Sequence, residues 1–487
     1  MSPANKLALA LAVLATVLIS ATCVSGKAHS ANLIELAQVL APRTDEAAGS
    51  GGDSDRPLRT RITADLLIPG RGEPFEPGVV LVEGDTIIYA GSEADAPTEE
   101  EQETQVEVPV VMPGMWDCHT HYRGEGTRGR KLVMGFYPEK YIRFANALVQ
   151  VKESLYAGIT SVRELGGAFS EAIAELIASD QLEGPHFHYA GRYIGMTGGH
   201  TDKHILPVDV VMSEEWEGVG ALCDGVPACL TQVRLNLRQQ ADIIKVMTSG
   251  GVLSQYDQAT DDQFSPREIT AMVDEARRAK RAVAAHAHSH GGIQNAIDCG
   301  VYSIEHGSTM DADQARQMAK KGMVYCPTNV VTQVFNATER PRGISELSWK
   351  KGQALLTTHH EALAAAIREG VTIVAGTDCP FGCASVGMEV VYLHELQGMT
   401  HLEAIETATA NGPTCMGDSG KAPKTGQLRE GYMADIIALD ASPLGDLRVL
   451  TDEKHVTHVW KAGKLYKHPK GERAFGPFLW EFSQPSY

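Results

Sequence analysis

The chain has 487 residues, with 43 Lys+Arg against 61 Asp+Glu and a formal net charge of −18. At 43% apolar and 21% charged residues it can build a sizeable core, which excludes disorder over most of its length. The acidic surplus excludes a nucleic-acid binder, because no basic patch offsets phosphate repulsion. At roughly 100–200 residues per domain, the length fits two to four domains, or one large barrel with an accessory domain.

Lys6 precedes an apolar run from Leu7 to Ile19, and small residues follow through Gly26. A run of about 13 residues fits the apolar centre of a signal peptide and falls short of the ~20 that a membrane span needs. Residues 1–26 are therefore expected to be a signal peptide cut after Ala21 or Gly26, with an uncleaved anchor as the alternative. The expected location is the secretory pathway or outside the cell, and no membrane contact is expected once the segment is removed. Residues 27–57, rich in Gly, Ser, Asp and Ala, read as a linker.

From 58 to 112 the chain reads as short strands. "GVVLVEGDTIIYAG" alternates apolar residues about Gly84-Asp85, a hairpin signal. The same pattern returns after residue 416, in "GYMADIIALD" and in "VTHVWKAGKLY", where Ala462-Gly463 makes the turn. The two flanks, 58–112 and 416–487, are expected to pair into a small β-sandwich, with residues 113–415 inserted between them.

That middle alternates strand and helix. Strands are expected to end at "CHTH" of 118–121, Arg163-Glu164, Tyr193-Ile194, Lys245-Val246, His286, His306, Cys326-Pro327 and Asp378. A helix should start at Ser265, which can cap, with Pro266 in the first turn and Glu268 completing a capping box. Others are expected over about 141–156, 311–321, 352–369 and 401–409. The fold class is α/β: eight strand–helix units forming a (β/α)8 TIM barrel with the β-sandwich as accessory domain. A doubly wound open sheet is the alternative, without a Gly-rich dinucleotide loop to support it.

Nine cysteines leave two close pairs in loops, Cys223/Cys229 and Cys379/Cys383, either of which can form a disulfide in a secreted protein, or remain free thiols. Asn336-Ala337-Thr338 is a glycosylation acceptor if the chain is secreted.

The chemistry is concentrated at strand ends, the catalytic face of such a barrel. His119 and His121, two apart on a strand, point to one face and can share a metal. The spacing means little alone, since His186/His188, His286/His288 and His288/His290 repeat it. The order that follows means more: Lys245 ending "ADIIKVM", His286 ending "AVAAH", His306 ending "VYSIEH" and Asp378 ending "VTIVAGTD". A lysine at the end of a buried strand is costly unless neutral or paired. One solution is reaction of the neutral amine with CO2, giving a carbamate whose two oxygens can bridge two cations.

Together these residues resemble the amidohydrolase superfamily, in the subtype with two metals bridged by a carbamylated lysine. The likeness spans roughly 60 to 470 and rests on "PVVMPGMWDCHTH", "IIKVMTSGGV", "QFSPREI", "AAHAHS", "SIEHGS", "AGTD", "TGQLREGYMADIIALD" and "VTHVWKAGKLYK". Within it the chain is similar to the branch of ochratoxinase-like and Xaa-Pro dipeptidase-like enzymes. The resemblance implies that His119, His121 and Asp378 bind a buried metal, that His286 and His306 bind a more exposed one, and that carbamylated Lys245 bridges them. It places His288 and His200 at the substrate. The metals are expected to be zinc, given four His and otherwise oxygen ligands. A hydroxide bridging the metals would attack the amide carbonyl, with Asp378 carrying its proton to the leaving amine.

The expected function is hydrolysis of an amide bond to a C-terminal amino acid, as in N-aroyl phenylalanine of the ochratoxin type or a Xaa-Pro or other dipeptide. The alternatives are a cyclic-amide hydrolase, like imidazolonepropionase or dihydroorotase, and a non-catalytic scaffold that keeps the barrel. The scaffold would be expected to lose ligands, and all six are present. Partners are the small-molecule substrate, with no nucleic acid, and a homo-oligomer is left open. A nucleic-acid deaminase is not expected, because the Cys-x-x-Cys half of its His-x-Glu…Cys-x-x-Cys pattern is missing.

Overall fold

The computed structural model describes residues 59–124, 139–204, 206–212, 220–341, 344–378 and 386–469. The expected signal peptide and linker, and the Cys379/Cys383 pair, lie outside the described residues.

Four strands come first: β1 (Arg59–Leu67), β2 (Gly78–Glu83), β3 (Thr86–Ser92) and β4 (Thr104–Pro113). The β2–β3 hairpin turns at Gly84-Asp85, with Glu83 opposite Thr86, and Gly84 takes the positive φ of 62° that the turn requires. Gly114 then leads directly into the barrel.

The barrel strands are β5 (Met115–Thr120), β6 (Ile159–Glu164), β7 (His186–Tyr189), β8 (Tyr193–Gly195), β9 (Gly220–Leu222), β10 (Ile243–Met247), β11 (Ala282–Ala287), β12 (Ser303–His306), β13 (Val324–Cys326) and β14 (Thr372–Ile373). β5, β6 and β10 are buried along their whole length, as strands covered on both faces must be. All pair in parallel, β5-β6-β7 in one run and β9-β8-β10-β11-β12-β13-β14 in another. Two seams close the ring. Asp242 N donates to Tyr189 O at 2.8 Å, joining β7 to the start of β10. At the other seam Cys118 N donates to Ala375 O at 2.9 Å and Asp378 N to His119 O at 2.7 Å, joining the chain after β14 back to β5.

The third barrel strand differs from expectation in being broken. It splits at Ala190–Arg192, where Gly191 has φ of 71° and the Asn236 side chain takes over the hydrogen bonds, accepting from Arg192 N and donating to Arg192 O. The last strand also stops early as a regular element, at Ile373. Its extended continuation carries Asp378, whose own φ is 44°.

The expected helices form, with shifted ends. Pro266–Arg278 has the full Ser265/Glu268 capping box, and Ala312–Lys321 has a second one, from Asp311 and Gln314. The helix expected over 352–369 starts earlier, as Glu346–Arg368, because Ser345 caps it by accepting from Ser348 N. Helices at Ser170–Ala178, Val226–Arg238, His290–Asp298 and Val386–Gln397 were not singled out by the pattern. Cys223 and Cys229 form a disulfide. Asn336 is exposed.

After the barrel, β15 (Ile436–Leu439), β16 (Val456–Lys461) and β17 (Lys464–Lys467) complete the accessory sheet in the order β17-β16-β15-β4-β1-β2-β3. The flanks therefore meet along β4 and β15. The sheet curls on itself, since Ile87 N donates to Tyr432 O and Ala434 N to Asp85 O. Ile62, Val80, Val82, Ile87, Val111, Ile436 and Trp460, from both flanks, fill its interior. Among the described residues no helix is long and apolar enough to cross a membrane.

Candidate active site

The C-terminal strand ends bring all six expected ligands together. Asp378 Oδ1 lies 3.2 Å from His121 Nε2 and 3.5 Å from His119 Nε2, and its Oδ2 lies 3.9 Å from His306 Nε2. Lys245 Nζ is 3.5 Å from His119 Nε2. The rings of His286 and His306 are 4.7 Å apart between centroids. The remaining two expected residues are adjacent: His288 stacks on His306 at 4.9 Å and His200 on His286 at 4.3 Å. His186, from one of the uninformative pairs, instead contacts Asp435 of the accessory sheet.

Each ring is turned by a second hydrogen bond, which fixes where its proton sits. His119 Nδ1 is 3.0 Å from Glu305 Oε2, and His121 Nδ1 is 2.9 Å from Gly166 O. Both partners only accept, so Nδ1 carries the proton and Nε2 offers its lone pair. His306 does the same through Thr328 Oγ1 at 2.7 Å, since that hydroxyl already donates to Pro327 O. His286 is reversed: Nε2 donates to Gly250 O at 3.0 Å, which leaves Nδ1 as its free lone pair.

Glu305 and Arg163 are functional residues that the strand-end reading missed. Glu305 precedes His306 and is wholly buried. It binds Arg163 Nη2 through both oxygens, at 2.8 and 2.9 Å, and also accepts from Ser303 Oγ. Burial would raise the Glu305 carboxyl, but Arg163, His119 and Lys245 hold it well below the usual carboxylate range. The signal in the sequence was two charged residues, of opposite sign, inside buried strands. Replacing Glu305 with Gln is expected to weaken metal binding by roughly 10–100-fold, measured by chelator competition on the folded protein.

Electrostatics favour cations. Burial, then the neighbouring positive groups, lowers every imidazole of the cluster, that of His121 to about 3. They are neutral at pH 7. Burial pulls Lys245 down to about 8 against the opposing pull of Glu305 and Asp378. Burial pushes Asp378 up, but His119, His121 and Lys245 outweigh it and hold the carboxyl well below its ordinary value. Neutral imidazoles and an ionised carboxylate, with lone pairs converging, are a metal-binding donor set. Ligand atoms lie within 4.8 Å of one another in the trios His119/His306/Asp378 and His286/His288/His306. The similar trio His119/Glu305/Cys326 is not a third site, because Arg163 occupies Glu305 and burial raises the Cys326 thiol well above its ordinary value.

The amidohydrolase family model matches residues 110–466. The chain belongs to the amidohydrolase family. This amidohydrolase is 40% identical to the ochratoxinase of Aspergillus niger over 473 residues, 94% of this chain and 95% of that one. Its fold matches the crystal structure of A. niger ochratoxinase with a TM-score of 0.80, covering 87% of this chain and all of the other. A Xaa-Pro dipeptidase crystal structure with bound methionine matches with a TM-score of 0.74 at 27% identity, covering 84% of this chain and all of the other. The imidazolonepropionase of Rhizobium meliloti is more distant, 25% identical over 56% of this chain and 70% of its own length. The protein is a metal-dependent amidohydrolase, a hydrolase of amide bonds, with the mixed barrel and accessory sheet of that fold.

Proposed function

We propose that this amidohydrolase cleaves the amide bond to a C-terminal amino acid, in an N-aroyl amino acid of the ochratoxin type or in a dipeptide. The observation that carries the substrate class is the 40% identity to ochratoxinase, which runs through barrel and accessory sheet alike rather than through the ligand motifs alone.

The catalytic unit is the barrel, 113–415, with the flanks 58–112 and 416–487 as its accessory domain. His119, His121 and Asp378 would hold one divalent cation and His286 and His306 a second, with Lys245, as its carbamate, offering oxygen donors to both. Zinc suits four imidazoles with oxygen donors. Such a pair of cations supplies an activated water at neutral pH and polarises the scissile carbonyl. Asp378, ionised and at the centre of the cluster, accepts the proton of the attacking water at a carboxylate oxygen and delivers it to the leaving nitrogen. Glu305, Gly166, Thr328 and Gly250 keep the imidazoles turned inward, and His288 and His200 contact the substrate beside them. The segment 1–26 directs the protein to the secretory pathway.

The test is amino-acid release, followed by mass spectrometry, from pooled dipeptides and N-acyl amino acids that include ochratoxin A. With zinc and bicarbonate present, release of phenylalanine or another C-terminal residue is expected, and chelation is expected to abolish it. No release from protein holding two metals per chain would overturn the proposal in favour of a cyclic amide.

A further inference from the structure

A second line of buried polar side chains leaves the cation cluster at His288 and ends on the helix Val386–Gln397. His288 Nδ1 is 2.8 Å from Ser308 Oγ, and Ser308 Oγ is 3.3 Å from His359 Nδ1. His359 Nε2 is 3.3 Å from Asn329 Oδ1, and Asn329 Nδ2 donates to Glu389 Oε1 at 2.9 Å. All five residues are buried, and His359, Asn329 and Glu389 are without solvent exposure. None is among the cation ligands named under Proposed function, although His288 shares one donor trio with His286 and His306, and residues 288, 308, 329, 359 and 389 come from five different segments.

The far end gives the line its direction. The Glu389 carboxylate accepts from two fixed donors, Asn329 N at 2.9 Å and Val330 N at 2.8 Å. Facing that acceptor, the Asn329 amide presents Nδ2–H and turns Oδ1 to His359. His359 then donates from Nε2, and its Nδ1 accepts the Ser308 hydroxyl proton. Ser308 Oγ in turn accepts from His288 Nδ1–H. The Nε2 of His288 is left with a lone pair.

We propose that Ser308 and His359 are positioning residues for the hydrolysis, holding the proton of His288 on Nδ1 so that its Nε2 meets the substrate as a hydrogen-bond acceptor. The matching substrate group is a donor such as an amide N–H, and a carboxylate is repelled there. The part concerning substrate rests on the reading under Proposed function, whereas the place of the proton does not.

The experiment uses the full, zinc-loaded chain with ¹⁵N-labelled histidine, at pH 9, above the value of about 8 to which burial lifts the Glu389 carboxyl. The His288 nitrogens are assigned by difference from His288→Asn. The wild type and His359→Gln, whose amide can still accept from Ser308 and donate to Asn329, are expected to show His288 protonated at Nδ1. Ser308→Ala and His359→Leu are expected to show both tautomers. In parallel, kcat/KM should fall about tenfold in each of these two variants, about tenfold in total rather than a hundredfold in the double variant, and less than about threefold in His359→Gln. Losses that multiply, or a wild-type His288 protonated at Nε2, would overturn the proposal. If no C-terminal amide is hydrolysed, the spectra still decide the proton's place and the substrate reading alone has failed.

Discussion

Lys245→Ala protein is expected to lose hydrolysis by roughly 10³-fold or more, and excess zinc should not restore it. The side chain is 1% exposed, at the middle of β10, with its amine 3.5 Å from His119 Nε2. An ammonium there would repel any cation brought by His119 and Asp378. A carbamate reverses the sign and adds two oxygen donors. Burial lowers the amine to about 8, so a substantial neutral fraction exists at pH 7 to 8, and only that form reacts with CO2. The direction of the pH effect follows. Protein stripped of metal and CO2 should regain activity only when zinc and bicarbonate are both supplied, and the rate of recovery at fixed CO2 should fall as pH drops below 8. Lys245→Arg separates charge from chemistry, because a guanidinium stays protonated and cannot take up CO2. It is expected to be as inactive as the alanine variant. Full activity in either variant would remove Lys245 from the bridge.

Much of this site was readable in the sequence because barrel geometry puts chemistry at strand ends. A polar residue that interrupts or closes an apolar run, such as Lys245 in "ADIIKVM" or His306 in "VYSIEH", has no packing reason to be there. The parts that stayed hidden depend on pairings between distant segments. Glu305 was in view within "SIEH", but its partner Arg163 lies 142 residues away, so neither announced the buried pair. His359 sits in a helix whose pattern gives no hint that it faces Asn329, or that Glu389 waits behind it. Among the elements, the Gly84-Asp85 hairpin and the Ser265 helix start were legible because turn and cap chemistry are local. The break in the third barrel strand was not, since it depends on Asn236, 44 residues on, taking over the hydrogen bonds of Arg192. The early start of Glu346–Arg368 was missed for a smaller reason: Ser345 caps it with no Glu or Gln three residues on to mark the start.

Asp378→Asn is expected to cut kcat by about 10²–10⁴-fold with KM changed far less, because it removes a proton acceptor and leaves the shape of the site intact. Asp378 is unusual within the cluster. Its backbone takes φ of 44°, a left-handed conformation that a non-glycine residue adopts at some cost, and its N–H is tied to His119 O at 2.7 Å. That hydrogen bond sets the carboxylate over the His119–His121 pair. Asp117 reinforces the same corner by accepting from Thr377 N and Thr377 Oγ1, one residue before Asp378. An asparagine keeps the backbone tie and one oxygen donor, so the thermal midpoint should move by only a few degrees, about what a single partly exposed polar replacement gives. The carboxyl is held well below its ordinary value by the histidines and Lys245, so the wild-type base stays ionised from neutral pH down through the ordinary carboxylate range. Acid inactivation of the enzyme should therefore follow loss of bound metal rather than protonation of Asp378. Metal content and rate measured on the same samples across pH 4 to 8 decide this. A rate that falls while both cations remain bound would put the titrating proton on Asp378 and contradict the electrostatics of its surroundings, whereas an unchanged kcat in Asp378→Asn would remove it as the proton carrier altogether.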